Sequence, residues 1–254
     1  MYANARTLAA LMVLFSVQGT LQANASGRLI LIGLYDTADP TAGVLIKRAS
    51  QRVNAFFDAA SDALGEQRQV SQFVLDGADF SVDSLRAVVN PLPALGADDS
   101  VILVYIGHGF DDPLSPFQML NIRDQRNDKD SLPAQRIIDA LSSRTPGTLI
   151  LLFEACNVER QASTSAAAEE TPDPRRIKAL LDAHFGLAIA STREGEYSYV
   201  GKGGGVSSNR LLSFFSKTQG SLASATAFQS FMSQPLGTGA PLQPEQHPTA
   251  RRLW

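Results

Sequence analysis

Val101-Ile102-Leu103-Val104-Tyr105-Ile106-Gly107-His108-Gly109-Phe110 is the stretch that decides how this chain is read. Six apolar residues in a row suit a strand covered on both faces, and such strands belong to parallel sheets packed between helices. The run then ends on a histidine between two glycines. A histidine there is either satisfied in a tight turn or held at the lip of a sheet for chemistry. The rest of the chain has to choose between the two.

Runs of the same kind recur on both sides. Arg28 to Leu34 predicts a first strand, ended by Asp36, Asp39 and Pro40, and Val70 to Leu75 predicts a second. Thr148 to Phe153 is a fourth, leading into Glu154-Ala155-Cys156, and Gly186 to Ala190 is a fifth. Between them lie amphipathic helical spacings. Val44, Leu45, Ala49, Val53, Phe56, Phe57, Ala60 and Leu64 recur every three or four residues before Gly65, which is one face of a helix. Further helices are expected from about Ser81 to Val89, Leu132 to Leu141, Arg175 to Ala183 and Ser208 to Phe215. Strand and helix in alternation predict a mostly parallel sheet with helices on both faces, an α/β/α sandwich. Chemistry on such sheets gathers at the carboxyl ends of the strands. His108 and Cys156 each follow a predicted strand directly, so both are expected at that edge.

Composition sets the limits. The chain has 254 residues, 44% of them hydrophobic, with 25 acidic against 22 basic side chains. That suits one sizeable α/β domain, and a net charge of -3 leaves no footprint for nucleic acid. Residues 1–25 are set apart. Arg6 is a charged start, Leu8 to Val17 is a short apolar run, and Ala23-Asn24-Ala25 has the form a signal peptidase cuts after. The apolar run is about half of the roughly 20 residues a spanning helix needs. We therefore expect an exported protein, periplasmic or extracellular, whose mature chain starts near Ser26 and has no membrane association. Residues 26–234 form the expected catalytic domain and 235–254 a Pro/Gly-rich tail running over the surface.

Export makes the single cysteine informative. Cys156 has no partner for an intrachain disulfide, and a lone thiol in an oxidising compartment is open to oxidation or mispairing. A thiol and an imidazole at neighbouring strand ends are the minimum for a cysteine hydrolase. The histidine activates the thiol and later protonates the leaving amine. The N–H groups of Gly109 and Cys156 would be the oxyanion donors.

Tyr105-Ile106-Gly107-His108-Gly109 and Leu151-Leu152-Phe153-Glu154-Ala155-Cys156 resemble the caspase and metacaspase family of cysteine peptidases. The histidine and the cysteine are 48 residues apart, close to the roughly 50 expected in caspases. Asp98-Asp99 before the histidine strand, and the stretch from Ala190-Ser191-Thr192 to Glu196-Tyr197-Ser198-Tyr199, are also similar. The resemblance spans most of residues 28–216 and implies the caspase-like α/β/α fold. It implies His108 as general base and acid, Cys156 as nucleophile, and a peptide or protein as substrate. One departure is Asn157-Val158 after the cysteine, where caspases carry a basic or polar residue and then glycine. Glu-Ala-Cys is also the form in legumain-like peptidases of the same clan.

Glu154 lies two residues before the nucleophile, on the same strand face, and is expected beside the leading side chain of the substrate. Metacaspases carry aspartate there and favour basic residues. Caspases carry glutamine and favour aspartate, and legumain-like enzymes carry glutamate and favour asparagine. Glu154 thus argues against an aspartate-specific enzyme and leans towards a basic one. Ser191 and Glu196 are weaker candidates for the same pocket. If cleavage follows basic residues, the segment from Gln161 to Lys178, with Arg175, Arg176 and Lys178 and flanked by Arg160, is an expected site of autocleavage.

Other readings were weighed against this one. His184 and His247 are assigned to structure, and no metal or cofactor is expected. Three histidines and one cysteine without close ligand spacing argue against zinc. The acidic stretch Asp124 to Asp130 lacks calcium-loop spacing, so no motif supports a calcium dependence. There is no Gly-x-Ser-x-Gly for a serine hydrolase, and no glycine-rich turn after the first strand for a flavodoxin-like nucleotide binder. The serious rival is a caspase-like module that binds without cutting.

Overall fold

The computed structural model describes residues 27–122, 131–156, 171–193, 196, 198, 200–201, 204–216, 224–235 and 246–254. The leader expected over 1–25, the acidic stretch 124–130 and most of the 161–174 loop lie outside the described residues. No helix among the described residues is long and apolar enough to cross a membrane.

In chain order the elements are β1 (Arg28–Tyr35), α1 (Gly43–Leu64), β2 (Gln69–Asp76), α2 (Val82–Val89), β3 (Ser100–Phe110), β4 (Met119–Asn121), β5 (Ser131–Pro133), α3 (Ala134–Ser142), β6 (Thr148–Cys156), α4 (Pro174–Leu181), β7 (Gly186–Ala190), β8 (Val200–Gly201), β9 (Gly204–Gly205), α5 (Val206–Phe214), α6 (Ala225–Met232) and β10 (Thr249–Arg252). The main sheet runs β10-β7-β6-β3-β1-β2. Its pairings are parallel except at β10, which lies antiparallel to β7. The five strands expected from the sequence are all present, in a mostly parallel sheet.

Alternation along the strands splits the core into two layers. Leu31, Val104, Ile106, Ile150 and Leu152 pack towards α1, α4, α5 and α6, against Phe56, Phe57, Ile177, Phe215 and Phe228. Ile32, Leu103, Tyr105, Leu151 and Phe153 face α2 and α3, against Leu85, Val89, Ile137 and Leu141. Burying each such side chain is worth roughly 1.5–3 kcal/mol. This is why the inner strands β1, β3, β6 and β7 read as long apolar runs: neither face is left to water.

Local signals set the helix starts. The Ser81 hydroxyl accepts from the Ser84 N–H at 3.1 Å to cap α2. Asp173 caps α4 with Pro174 in its first turn, where the missing N–H costs nothing.

Two differences from the sequence reading bear on the edges of the sheet. The tail does not simply run over the surface, because residues 249–252 complete the sheet as β10. Its arginines hide the usual strand pattern, and main-chain pairing with β7 is what recruits it. The Leu253 N–H donates to the Gly186 carbonyl at 2.9 Å, and a Cβ on Gly186 would meet the Trp254 ring at 2.8 Å. The second difference is that β3 continues through His108 to Phe110, because β4 pairs antiparallel with Gly109 and Phe110.

At the opposite edge Asp99 ties the sheet together. Its carboxylate accepts from the Arg28 main-chain N–H at 2.7 Å, from the Arg28 guanidinium at 2.6 Å and from the Gly96 N–H at 2.8 Å. Burial would raise its pKa, but the bonds from Arg28 and Gly96 win and hold it below the usual carboxylate range. Its contribution to stability is therefore present above the unfolded value near 4 and is lost as pH falls through the folded value. Asp99→Asn is expected to cost about 2 kcal/mol in urea unfolding at neutral pH, with the difference from wild type shrinking as the pH is lowered below 4.

Candidate active site

The two residues singled out by the sequence are brought to one place. β3 and β6 are adjacent and parallel, and their register pairs His108 with Cys156 as the last rung of the ladder. Both lie within the final residues of their strands rather than beyond them. The backbone at His108 is pinned by Tyr105, whose hydroxyl donates to the His108 carbonyl at 2.5 Å. The flanking glycines are explained by close approach. A Cβ on Gly107 would sit 2.6 Å from the Tyr105 hydroxyl, blocking that bond. A Cβ on Gly109 would sit 2.7 Å from the Ala155 Cβ and 2.8 Å from the Met119 carbonyl.

His108 has a partner that the sequence reading missed. Its Nε2 lies 2.9 Å from Asp39 Oδ2, with side chains 24% and 13% exposed respectively. Asp39 comes from the β1–α1 loop. Its other oxygen, Oδ1, accepts from the Thr41 N–H at 2.8 Å, the Ala42 N–H at 2.7 Å and the Thr41 hydroxyl at 2.5 Å. Burial acts to raise the Asp39 pKa, but these donors and His108 outweigh it and bring it down to about 2. A signal was available in Asp39-Pro40-Thr41, a loop that turns on an aspartate just before a helix. In the sequence reading, those residues only ended a strand.

Glu154 lies on the face that α5 packs against, and its carboxylate is fully buried. Oε1 accepts from the Ser207 N–H at 2.8 Å and Oε2 from the Ser208 N–H at 3.1 Å. The acid therefore sits on the N-terminus of α5, satisfying main-chain N–H groups that the helix leaves unpaired. A glycine at 205 makes this fit possible, since a Cβ there would fall 2.0 Å from the carboxyl carbon. Burial pushes the Glu154 pKa up to about 6, and the hydrogen bonds from Ser208 and Ser207 only partly offset it.

Ser191 directly follows β7, and its N–H donates to the Phe153 carbonyl at 2.9 Å. Its carbonyl accepts from Gln246 Nε2 at 2.6 Å. Glu196 is held by Arg193 Nε at 2.6 Å, and by His247 through its N–H at 2.9 Å and Nδ1 at 2.8 Å. His247, assigned to structure, thus has a carboxylate partner in Glu196. Gln246 is wholly buried and also reaches the Ser207 hydroxyl at 3.4 Å. The C-terminal segment is therefore built into the wall beside Glu154 and Ser191. Among the described residues, Ser191 Oγ, Ser198 Oγ and Gln118 Oε1 are buried and meet no hydrogen-bond partner.

Arg175, Arg176 and Lys178, in the segment expected to be open to cleavage, belong to α4, the helix expected from Arg175 to Ala183. Arg176 is 4% exposed, with Nε donating to the Phe214 carbonyl at 2.9 Å and its guanidinium 5.0 Å from the Phe214 ring centre. A cut there would require α4 to unwind, and Arg160 lies outside the described residues. Among the described residues no group of three or more His, Cys, Asp and Glu side chains is placed to hold a metal ion.

No family model matches the sequence, and no curated protein matches it. Solved structures do. Caspase-1 from Spodoptera frugiperda superposes with a TM-score of 0.54 at 12% identity, covering 91% of this chain and 90% of that one. A protein from Geobacter sulfurreducens gives 0.46 at 13% identity over 89% and 92%. The fold is caspase-like: a mostly parallel sheet between two layers of helices, followed by an antiparallel edge strand.

The raised pKa of Glu154 has a measurable consequence. Its contribution to stability is full below its unfolded value, near 4.5, and is lost as pH rises through about 6. The shift corresponds to about 2 kcal/mol. The stability of Glu154→Gln is expected to lack this decline between pH 4.5 and 6, so wild type minus variant gives a falling curve in urea titrations.

Proposed function

We propose that this chain is an exported cysteine endopeptidase of caspase type, with Cys156 as nucleophile and His108 as general base and acid. The observation that carries the reading is the His108–Cys156 rung closing the β3–β6 ladder of a caspase-like fold. In this reading the Cys156 thiol gives its proton to His108, and the thiolate attacks the scissile carbonyl. The N–H groups of Gly109 and Cys156 receive the oxyanion. Collapse of the tetrahedral intermediate passes the proton from His108 to the departing amine and leaves a thioester. Water, deprotonated by His108, then releases the acid and restores the thiol.

The proposed preference is for a basic residue before the cleaved bond. Asp36 packs beside Gly107, and Asp111 and Asp112 follow the end of β3 and line a small cleft with Arg193, a cation tied to Glu196. An acidic rim of this kind favours a cationic side chain. Glu154 supports the preference less directly than its position suggested, because both its oxygens already accept from α5. The Ser191 and Ser198 hydroxyls and Gln118 Oε1, which meet no partner among the described residues, are groups a bound peptide could satisfy.

The test is a panel of fluorogenic peptides carrying Arg, Lys, Asn or Asp at the cleavage position. Wild type is expected to turn over the Arg and Lys peptides, and Cys156→Ala to lose at least about 1,000-fold in kcat. Turnover after Asn alone would move the chain to the legumain-like reading. No turnover by a folded wild type would leave a binding module on the same fold.

A further inference from the structure

We infer that Asp39 is a positioning residue for His108. It holds the imidazole with its proton on Nε2 and so presents Nδ1 as the nitrogen that exchanges a proton with Cys156. The kinetic part of this inference rests on the peptidase reading, whereas the tautomer does not.

The two oxygens of Asp39 have separate duties. Oδ1 takes three donors from Thr41 and Ala42, which lock the carboxylate to the start of α1. Oδ2 is left pointing at His108 Nε2, 2.9 Å away. A carboxylate with a pKa of about 2 is ionised throughout the working range, so it accepts and never donates. The nitrogen facing it must therefore carry a proton, whether the ring is neutral or charged. In the neutral ring only Nδ1 then keeps a lone pair.

The ring is held from its backbone side as well. The Tyr105 hydroxyl fixes the His108 carbonyl, and Gly107 leaves room for that bond. With the main chain and Nε2 both constrained, rotation about the side-chain bonds is restricted. When Nδ1 takes the thiol proton, the ring becomes a cation with Asp39 beside it. When Nδ1 returns the proton to the leaving amine, the ring is neutral again. Asp39 stays ionised at both stages, so it stabilises the charged intermediate without accepting a proton. This assigns a role to a loop residue that lies far from both His108 and Cys156 in the chain.

Asp39→Asn is the informative substitution. Its retained oxygen can still accept from Thr41 and Ala42, while an amide N–H₂ replaces the oxygen facing Nε2. Three measurements test the inference. First, nitrogen-15 spectra of wild type labelled at its three histidines should place the neutral His108 ring in the Nε2–H form; an Nδ1–H form overturns the inference, even if no variant folds. Second, iodoacetamide at neutral pH reports on the single cysteine without any substrate, and Asp39→Asn should slow alkylation about tenfold; an unchanged or faster rate overturns it. Third, kcat on the preferred peptide should fall roughly 100-fold with KM within about twofold, and Asp39→Glu, which keeps the carboxylate, should recover part of the loss. An unchanged or increased kcat in Asp39→Asn overturns the kinetic part of the inference. If wild type cleaves no peptide yet shows the Nε2–H form and the alkylation difference, the peptidase reading fails and the positioning of His108 stands.

Discussion

The pairing of β3 with β6 is the constraint on which the rest of this structure depends. It is the central rung system of a sheet buried on both faces, running in register from Ser100 and Thr148 to His108 and Cys156. Parallel strands at fixed spacing leave little freedom at their ends. A histidine and a cysteine carried at the last rung are therefore placed by the whole core, not by a local loop. The apolar residues that bury the strands also position this pair.

Close packing at the carboxyl edge refines that placement. Gly107 and Gly109 are where the main chain must approach the Tyr105 hydroxyl, Ala155 and Met119. Gly205 admits the Glu154 carboxylate to the N-terminus of α5. Gln246 then joins α5 to the end of β7, through Ser207 and Ser191. The wall around Glu154 and Ser191 is thus assembled from β6, β7, α5 and the C-terminal segment. A buried carboxylate is tolerable here only because two N–H groups meet it. The high pKa of Glu154 records what remains of the desolvation cost.

Much of this was legible in the amino-acid order. β1, β3, β6 and β7 announced themselves as apolar runs because both faces of the sheet are covered there, β2 more weakly because it is a partly exposed edge strand, and α1 as a three-and-four spacing because only one face is. His108 and Cys156 stood out through glycine punctuation, thiol scarcity and their position after such runs. β10 was not legible, since Thr249-Ala250-Arg251-Arg252 carries almost no apolar signal and is ordered by main-chain bonds to β7. Glu154 was expected beside a substrate, and its partners on α5 were not visible, because Ser207 and Ser208 look like ordinary helix-start residues. Glu196 and His247 gave no hint of each other, as they come from different loops.

The sequence by itself determined that a parallel α/β sheet would bring one histidine and one cysteine to the same edge. Periodicity and run length encode burial, and burial sets where strands end. Only the tertiary structure decided what surrounds them: Asp39 against His108 Nε2, α5 against Glu154, and the C-terminal strand closing the sheet. Those contacts depend on how loops and helix termini dock onto the finished sheet. No local pattern carries that information, because a hydrogen bond between distant segments leaves no periodic trace in either one.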